Sequence, residues 1–350
     1  MINIEEVKIT HEALSIISEL DSFRVSWRLL GTLSPDRLVA LKKVATIESI
    51  GSSTRIEGVK LSDKEVENLL SNIGSKSFLS RDEQEVAGYS EVCNLVFLSF
   101  EEMGFSENII KQLHGLLLKF TEKDARHSGE YKKLSNSVEA FDENGKSIGV
   151  VFETSSPFDT PFQMQNLVDW FNSNKTQKTI HPLLLIGIFV VHFLAIHPFQ
   201  DGNGRLSRII TTLLLMQFGY IYVPYSSLES IIERNKENYY LALRKTQATL
   251  KKDEVNYDPW LLFFLRSLQK QKTHLEQKLE VEKNAMIFKL PDLSCKIIQL
   301  IQEHDSIGIS EIVSLANANK NTVKKHLAAL VDNSHITKYG KGKSTKYRIL

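Results

Sequence analysis

The chain has 350 residues, 42% hydrophobic and 24% charged, with a formal net charge of +1. That is the balance of an ordinary soluble globular protein of about two or three domains, and it excludes fibrous and disordered classes. The two cysteines, Cys93 and Cys295, stand far apart in the sequence and suggest neither a disulfide framework nor a zinc site. A reducing, cytoplasmic setting is the simple expectation. The first residues lack the basic and apolar parts of a signal peptide. The apolar run 182–191 is cut by His192 and too short for a bilayer, so it is expected as a buried helix, with no membrane partner.

Taken in chain order, residues 1–85 read as helices separated by Ser-Pro, Gly-Ser and Ser-Arg-Asp breaks. One helix runs from about Asp36 through Ala45 and Ile50 and stops at Gly58, placing Ser53 and Glu57 four apart on one face. Residues 86–255 form the expected core. Helices are predicted over 85–103 and 107–120, then a hairpin. Its sides are 129–138 and 150–152, and its polar tip is 142–145. Further helices are expected over 164–172, 182–195, 206–218 and 228–250. Residues 256–284 read as a connector, carried by a long amphipathic helix over 259–283 that turns highly charged after Arg266. The segment 285–350 changes character, with helices over 293–304, 309–316 and 319–331 and strands over 336–339 and 346–350. The fold class is therefore mainly α with a small β-hairpin.

The stretch with the clearest chemistry is His197-Pro-Phe-Gln-Asp201-Gly202-Asn203-Gly204-Arg205-Leu-Ser-Arg208. Its Gly-Asn-Gly turn leads into an apolar helix, so the N–H groups of Gly202, Asn203 and Gly204 sit at a helix N-terminus, which favours anions. His197 has an ordinary pKa near neutrality and suits a general base for a hydroxyl. Asp201 offers a hard oxygen ligand for Mg²⁺. Arg205 and Arg208, three apart, share a helix face and can fork onto phosphate oxygens.

This stretch resembles the signature of the Fic (Fic/DOC) family, His-Pro-Phe-x-[Asp/Glu]-Gly-Asn-Gly-Arg-x-x-Arg, at every position. The resemblance implies a Fic-type helical core with a hairpin flap, and transfer of AMP from ATP to a Ser, Thr or Tyr hydroxyl of a protein. It implies His197 as the base, and Asp201 as holder of Mg²⁺. The 202–204 turn would be an anion hole, and Arg205 and Arg208 would be ligands of the outer phosphates. The hairpin corresponds to the flap that docks the protein substrate by strand pairing. Family members often carry Arg in that strand where this chain has Lys132 or Lys133. Ser53-Thr-Arg-Ile-Glu57-Gly58 resembles the family's inhibitory motif in its N-terminal position. The resemblance implies that Glu57 pairs with Arg208 and blocks the γ-phosphate. Tyr239 and Tyr240, in a segment resembling a family helix near the nucleotide, are candidate adenosine contacts.

The C-terminal order of elements resembles a winged helix-turn-helix. From Lys320 onward it carries seven lysines and Arg348 against one acid, Asp332. DNA or a protein is the expected partner there, and a homo-oligomer stays open. The alternatives to AMP transfer are a DNA-binding regulator using the core as an ATP sensor, and a Fic enzyme that removes AMP or uses another nucleotide. A dinucleotide fold is excluded, because Ser207 stands where the third glycine of Gly-x-Gly-x-x-Gly belongs. A phosphate loop at Gly342-Lys-Ser is excluded by Thr337 in place of its first glycine.

Overall fold

The structure, a computed structural model, describes residues 7–29, 35–72, 78, 80–141, 147–252, 254–288, 291–303, 306–340, 342 and 345–349. Within them the chain forms two compact units, one reaching to Thr273 and one from His274 onward.

Helix α7 (Pro182–Ile196) is apolar on every face, and all of it but Pro182, His192 and Ala195 is buried. A helix without a polar face must be surrounded, and here α6 (Thr160–Gln177) and α8 (Asn203–Gln217) flank it. Helix α8 is buried from Asn203 to Met216 save Gly204, and also packs on α4 (Arg81–Ser99) and α5 (Glu107–Leu117). Its position in the centre is what holds the signature residues still. Helices α4 and α5 start at serine caps, Ser80 and Ser106, whose hydroxyls accept from the N–H of Glu83 and Ile109.

Upstream, α1 (His11–Leu29), α2 (Pro35–Ile56) and α3 (Asp63–Leu70) complete the N-terminal region. Helix α2 ends as expected, with Gly58 at φ 107° and its N–H donating to the Arg55 carbonyl. The predicted helix over 228–250 is broken into α9 (Leu228–Arg234) and α10 (Lys236–Gln247). Asn235 is the cause: at φ −123°, ψ 30° its Nδ2 donates to the Ile231 carbonyl, and the same residue starts α10. An asparagine that bonds its own neighbourhood competes with the helix ladder.

The flap pairs β1 (Ser137–Phe141) with β2 (Ser147–Glu153) antiparallel, with irregularities at 138/139 and 140/141. The expected strand residues 129–136 are irregular instead, because their backbone and side chains bind the loop before α8. Residues 142–145, the expected tip, lie outside the described residues. Helix α11 (Asp258–Phe288) begins deep in the first unit, with Trp260, Leu261, Phe264, Leu265 and Leu268 buried. Trp260 Nε1 donates to the Gly187 carbonyl at 2.7 Å, and a Cβ at Gly187 would come 2.7 Å from Leu261 Cδ2. The glycine is what lets α7 and α11 approach.

In the second unit, α12 (Asp292–Glu303), α13 (Ile309–Ala316) and α14 (Lys320–Asp332) join a three-stranded antiparallel sheet. Its order is β3 (Ile307–Gly308), β5 (Lys346–Ile349), β4 (Ile336–Tyr339). Strand β3, two residues long, carries no sequence pattern and was not expected. Ile297, Ile301, Ile312, Val323, Leu327 and Tyr347 make the core of this unit. Among the described residues no helix is long and apolar enough to cross a membrane.

Candidate active site

The site is the bend between α7 and α8. His197 caps α7 in the left-handed conformation, φ 53°, and its N–H donates to the Phe193 carbonyl at 2.9 Å. A non-glycine residue held at positive φ is strained, so its neighbours must hold it there. Its Nδ1 lies 3.4 Å from the Leu194 carbonyl. A carbonyl only accepts, so Nδ1 carries the hydrogen of the neutral ring and Nε2 keeps a free lone pair. Burial, helped by the nearby Lys132 ammonium, pushes the imidazole from its ordinary 6.5 down to about 4, against the opposing pull of Glu57 and Asp201. The His197 imidazole is thus neutral at pH 7.

Asn203 closes the bend on itself. Its Oδ1 accepts from the Phe199 N–H at 2.9 Å and its Nδ2 donates to the Phe199 carbonyl at 2.7 Å. This side chain shapes the loop. His114, buried on α5, braces the same bend from below. Its Nδ1 accepts from the Gly129 N–H, so Nε2 carries the hydrogen and donates to the Asp201 carbonyl at 3.0 Å. The ring stacks on Phe199 with centroids 3.8 Å apart, and burial lowers its pKa to about 4.

The Asp201 carboxylate accepts from the Gly202 N–H at 2.7 Å and from Arg205 Nη2 at 3.1 Å and Arg81 Nη2 at 3.2 Å. Burial raises its pKa, but Arg205, the Gly202 N–H and Arg81 together outweigh that and hold it low. Arg205 is only 2% exposed and its other arm lies 2.7 Å from Glu85 Oε2. Glu85 in turn accepts from Arg81 Nε, and Arg81 reaches toward Asp124. Arg205 therefore sits inside a carboxylate cage, whereas Arg81 stands half-exposed at the rim. Among the described residues no group of three or more His, Cys, Asp or Glu is placed to hold a metal.

Glu57 comes down on the start of α8. Its Oε1 accepts from Arg208 Nη2 at 2.7 Å, while Arg208 Nε and Nη2 also donate to the hydroxyl and carbonyl of Ser53. A Cβ at Gly204 would stand 2.1 Å from Glu57 Oε1, so only glycine admits the carboxylate there. Burial works against ionising Glu57, but pairing with Arg208 prevails and its pKa is lowered. Arg208 is raised correspondingly by Glu57. Ser53 and Glu57, 155 and 151 positions from Arg208 in sequence, thus form one cluster with it. Tyr239 is buried against Trp260 and Phe263, with its hydroxyl toward Arg208 and Ser207. Tyr240 keeps partial exposure and lies near Glu57.

Sequence reasoning missed His114, Glu85, Arg81 and Lys132 as parts of this site. They come from α4, α5 and the flap root, and nothing in their local pattern separates them from ordinary buried or capping residues.

The model of the Fic/DOC family matches residues 104–215, which hold the flap, α7 and all of the signature. The chain carries a Fic/DOC family domain. The chain is 32% identical over 99 residues to a probable protein adenylyltransferase of Aquifex aeolicus, spanning 28% of each chain. It is 36% identical over 89 residues to the protein adenylyltransferase Fic of Drosophila yakuba, 25% of this chain and 17% of that one. The matched part thus spans well under two thirds of these relatives' length. A solved Fic family protein from Desulfovibrio desulfuricans superposes over 99% of this chain and 98% of its own, TM-score 0.62, at 20% identity. A Fic domain-containing protein of Bacteroides thetaiotaomicron does so over 74% and 93%, TM-score 0.58, at 24% identity. These two likenesses concern the fold.

Proposed function

We propose that this chain is a protein adenylyltransferase that moves AMP from ATP to a Ser, Thr or Tyr hydroxyl of a protein, and that Glu57 holds it inactive. The observation that carries the reading is a carboxylate already seated at the N-terminus of α8, 2.7 Å from Arg208 Nη2. An anion site filled by the chain's own anion is a site made for one, and Glu57 stands where an outer phosphate would be drawn. The relatives' names, protein adenylyltransferase, support the same chemistry.

The reaction follows from the groups present. The target hydroxyl gives its proton to Nε2 of His197 as its oxygen bonds to the α-phosphorus, and the bond to the bridging oxygen of the β-phosphate breaks, releasing pyrophosphate. The N–H groups at the start of α8 steady charge on the phosphates. Arg208, once freed of Glu57, is the buried guanidinium that outer phosphate oxygens can take up. Asp201 would hold Mg²⁺, whose bound state supplies charge neutralisation to the phosphates; the strongly ionised carboxylate at this bend fits that use. Tyr240, with its open edge, is the better of the two tyrosines for an adenosine contact. With Glu57 paired, ATP would seat with its α-phosphate misaimed, and a displacement of about 1 Å can cost roughly a hundredfold.

The test is incubation with ATP labelled on the α-phosphate, comparing wild type, Glu57→Gly and Glu57→Gly/His197→Ala. Acid-stable protein labelling in the single variant alone is expected. No labelling in any of them, with nucleotide binding intact, would overturn AMP transfer.

The second unit supports a docking role of its own, as a winged helix. Lys320, Lys324 and Lys325 are exposed on α14, and Lys338, Lys346 and Arg348 on the strands of its sheet. A basic helix beside a basic hairpin suits a DNA groove and its phosphates. Anisotropy of a labelled duplex with the full chain should show binding that weakens with salt and with Lys324→Glu/Lys325→Glu; no salt-sensitive binding would leave a protein as its partner.

A further inference from the structure

We propose that Lys132 is the positioning residue of the proposed base: it ties the root of the flap to the loop around His197 and fixes that residue's strained conformation. The inference concerns geometry at His197, and only the word base rests on the reaction proposed above.

Lys132 is a lysine just 3% exposed. Its Nζ donates to three acceptors: Asn136 Oδ1 at 2.8 Å, Thr154 Oγ1 at 2.9 Å and the Ile196 carbonyl at 3.1 Å. An ammonium has three hydrogens, so all are used and none is left for a phosphate or a substrate. Lys132 is therefore no nucleotide ligand. Its backbone N–H donates to the Pro198 carbonyl at 2.9 Å. One residue thus grips the chain immediately before and immediately after His197, the residue held at φ 53°. Asn136 extends the strap by donating from Nδ2 to the Phe199 carbonyl at 2.9 Å. Thr154, at the end of β2, donates to the Asn136 carbonyl at 2.6 Å and so joins both sides of the flap to the same strap.

This arrangement explains why a buried ammonium is kept where burial depresses its pKa from 10.5 to about 8. A neutral side chain could not satisfy three oxygen acceptors at once, and buried acceptors left open are destabilising. The charged groups facing His197 are Lys132, Glu57 and Asp201, and Lys132 is the one that disfavours the imidazolium. The same strap therefore sets where the imidazole points and favours its neutral form. It also ties the flap, where a target strand would pair, to the group that would take the target's proton.

The experiment is made on the full chain in the Glu57→Gly background, with Lys132→Met, Lys132→Arg and the milder Thr154→Val. The ring C–H resonances of the histidines are titrated by NMR, His197 being identified by His197→Ala, and protein labelling from ATP is measured in parallel. Lys132→Met should raise the His197 midpoint by about one pH unit or more and cut labelling at least tenfold. Lys132→Arg should return both most of the way, and Thr154→Val should fall between. An unmoved His197 midpoint in folded Lys132→Met, or an arginine variant as defective as methionine, would overturn the proposal. If no variant labels any protein, the AMP-transfer reading fails, while the NMR titration still decides the role of Lys132.

Discussion

Arg55 grips Glu233 with two hydrogen bonds, Nε to Oε1 at 2.7 Å and Nη2 to Oε2 at 3.0 Å. Its remaining arm donates to the Leu61 carbonyl and to Asp63. Arg55 lies two residues before Glu57, so this clasp fastens the end of α2 to α9 and to the segment after Gly58. A forked arginine–carboxylate pair is among the firmer polar contacts. Loosening α2 by about 1–2 kcal/mol would shift the paired and unpaired populations of Glu57 by roughly 5- to 30-fold. Glu233→Ala should therefore raise protein labelling of the otherwise wild-type chain by that order. Labelling that stays at the wild-type level, while Glu57→Gly raises it, would show that the clasp does not hold the brake.

Gly204 and Glu57 are predicted to be coupled. A methyl group at 204 would collide with Glu57 Oε1, so Gly204→Ala should lower thermal stability in the wild type. In the Glu57→Gly background the obstacle is gone and most of that loss should disappear, a coupling of about 0.5–3 kcal/mol. Additive losses in the double-variant cycle would contradict the close approach.

Asn203 is predicted to be irreplaceable by its near isostere. In Asn203→Asp the group that donates to the Phe199 carbonyl becomes a second oxygen facing it. The variant should lose about 1–3 kcal/mol in denaturant unfolding and show weakened labelling in the Glu57→Gly background. Unchanged stability would mean that the bend is held without this clasp.

Acid should unfold the protein in a window set by three desolvated histidines, the buried His114 and the part-buried His192 and His197. His114, His192 and His197 are all depressed to about 4 by burial, from an ordinary 6.5. Between those values the unfolded chain binds protons that the folded chain refuses. Stability from these groups is thus complete above about pH 6.5 and is lost as pH falls toward 4, by up to ~1.4 kcal/mol per pH unit for each proton. His114→Asn should make the pH dependence of the unfolding midpoint shallower across this window. An unchanged slope would show that His114 protonates normally in the folded state.

How much of this was legible in the sequence differs from residue to residue. The signature was legible because its parts are contiguous: His197, Asp201, Gly204 and Arg208 lie on one bend and one helix, so spacing alone brings them together. Helices α7 and α8 were legible from their apolar runs. Ser53 and Glu57 were legible only through resemblance, since a serine and a glutamate four apart on a helix have no meaning until something faces them. The break at Asn235 was missed because periodicity continues across it, while the local side-chain bond that interrupts the helix has no periodic trace.

The sequence by itself determined the local chemistry: a base, a hard carboxylate, an anion-favouring helix start and two guanidinium groups. The tertiary structure decided what each of them is bound to. It placed Arg205 between Glu85 and Asp201, set Glu57 on Arg208 across the site, and brought His114 and Lys132 in from distant elements to hold the bend. The physical reason is that hydrogen bonds and ion pairs depend on distances of about 3 Å. The chain fixes such distances locally only along one helix or turn; everywhere else they arise when buried apolar faces pack and bring remote polar groups together.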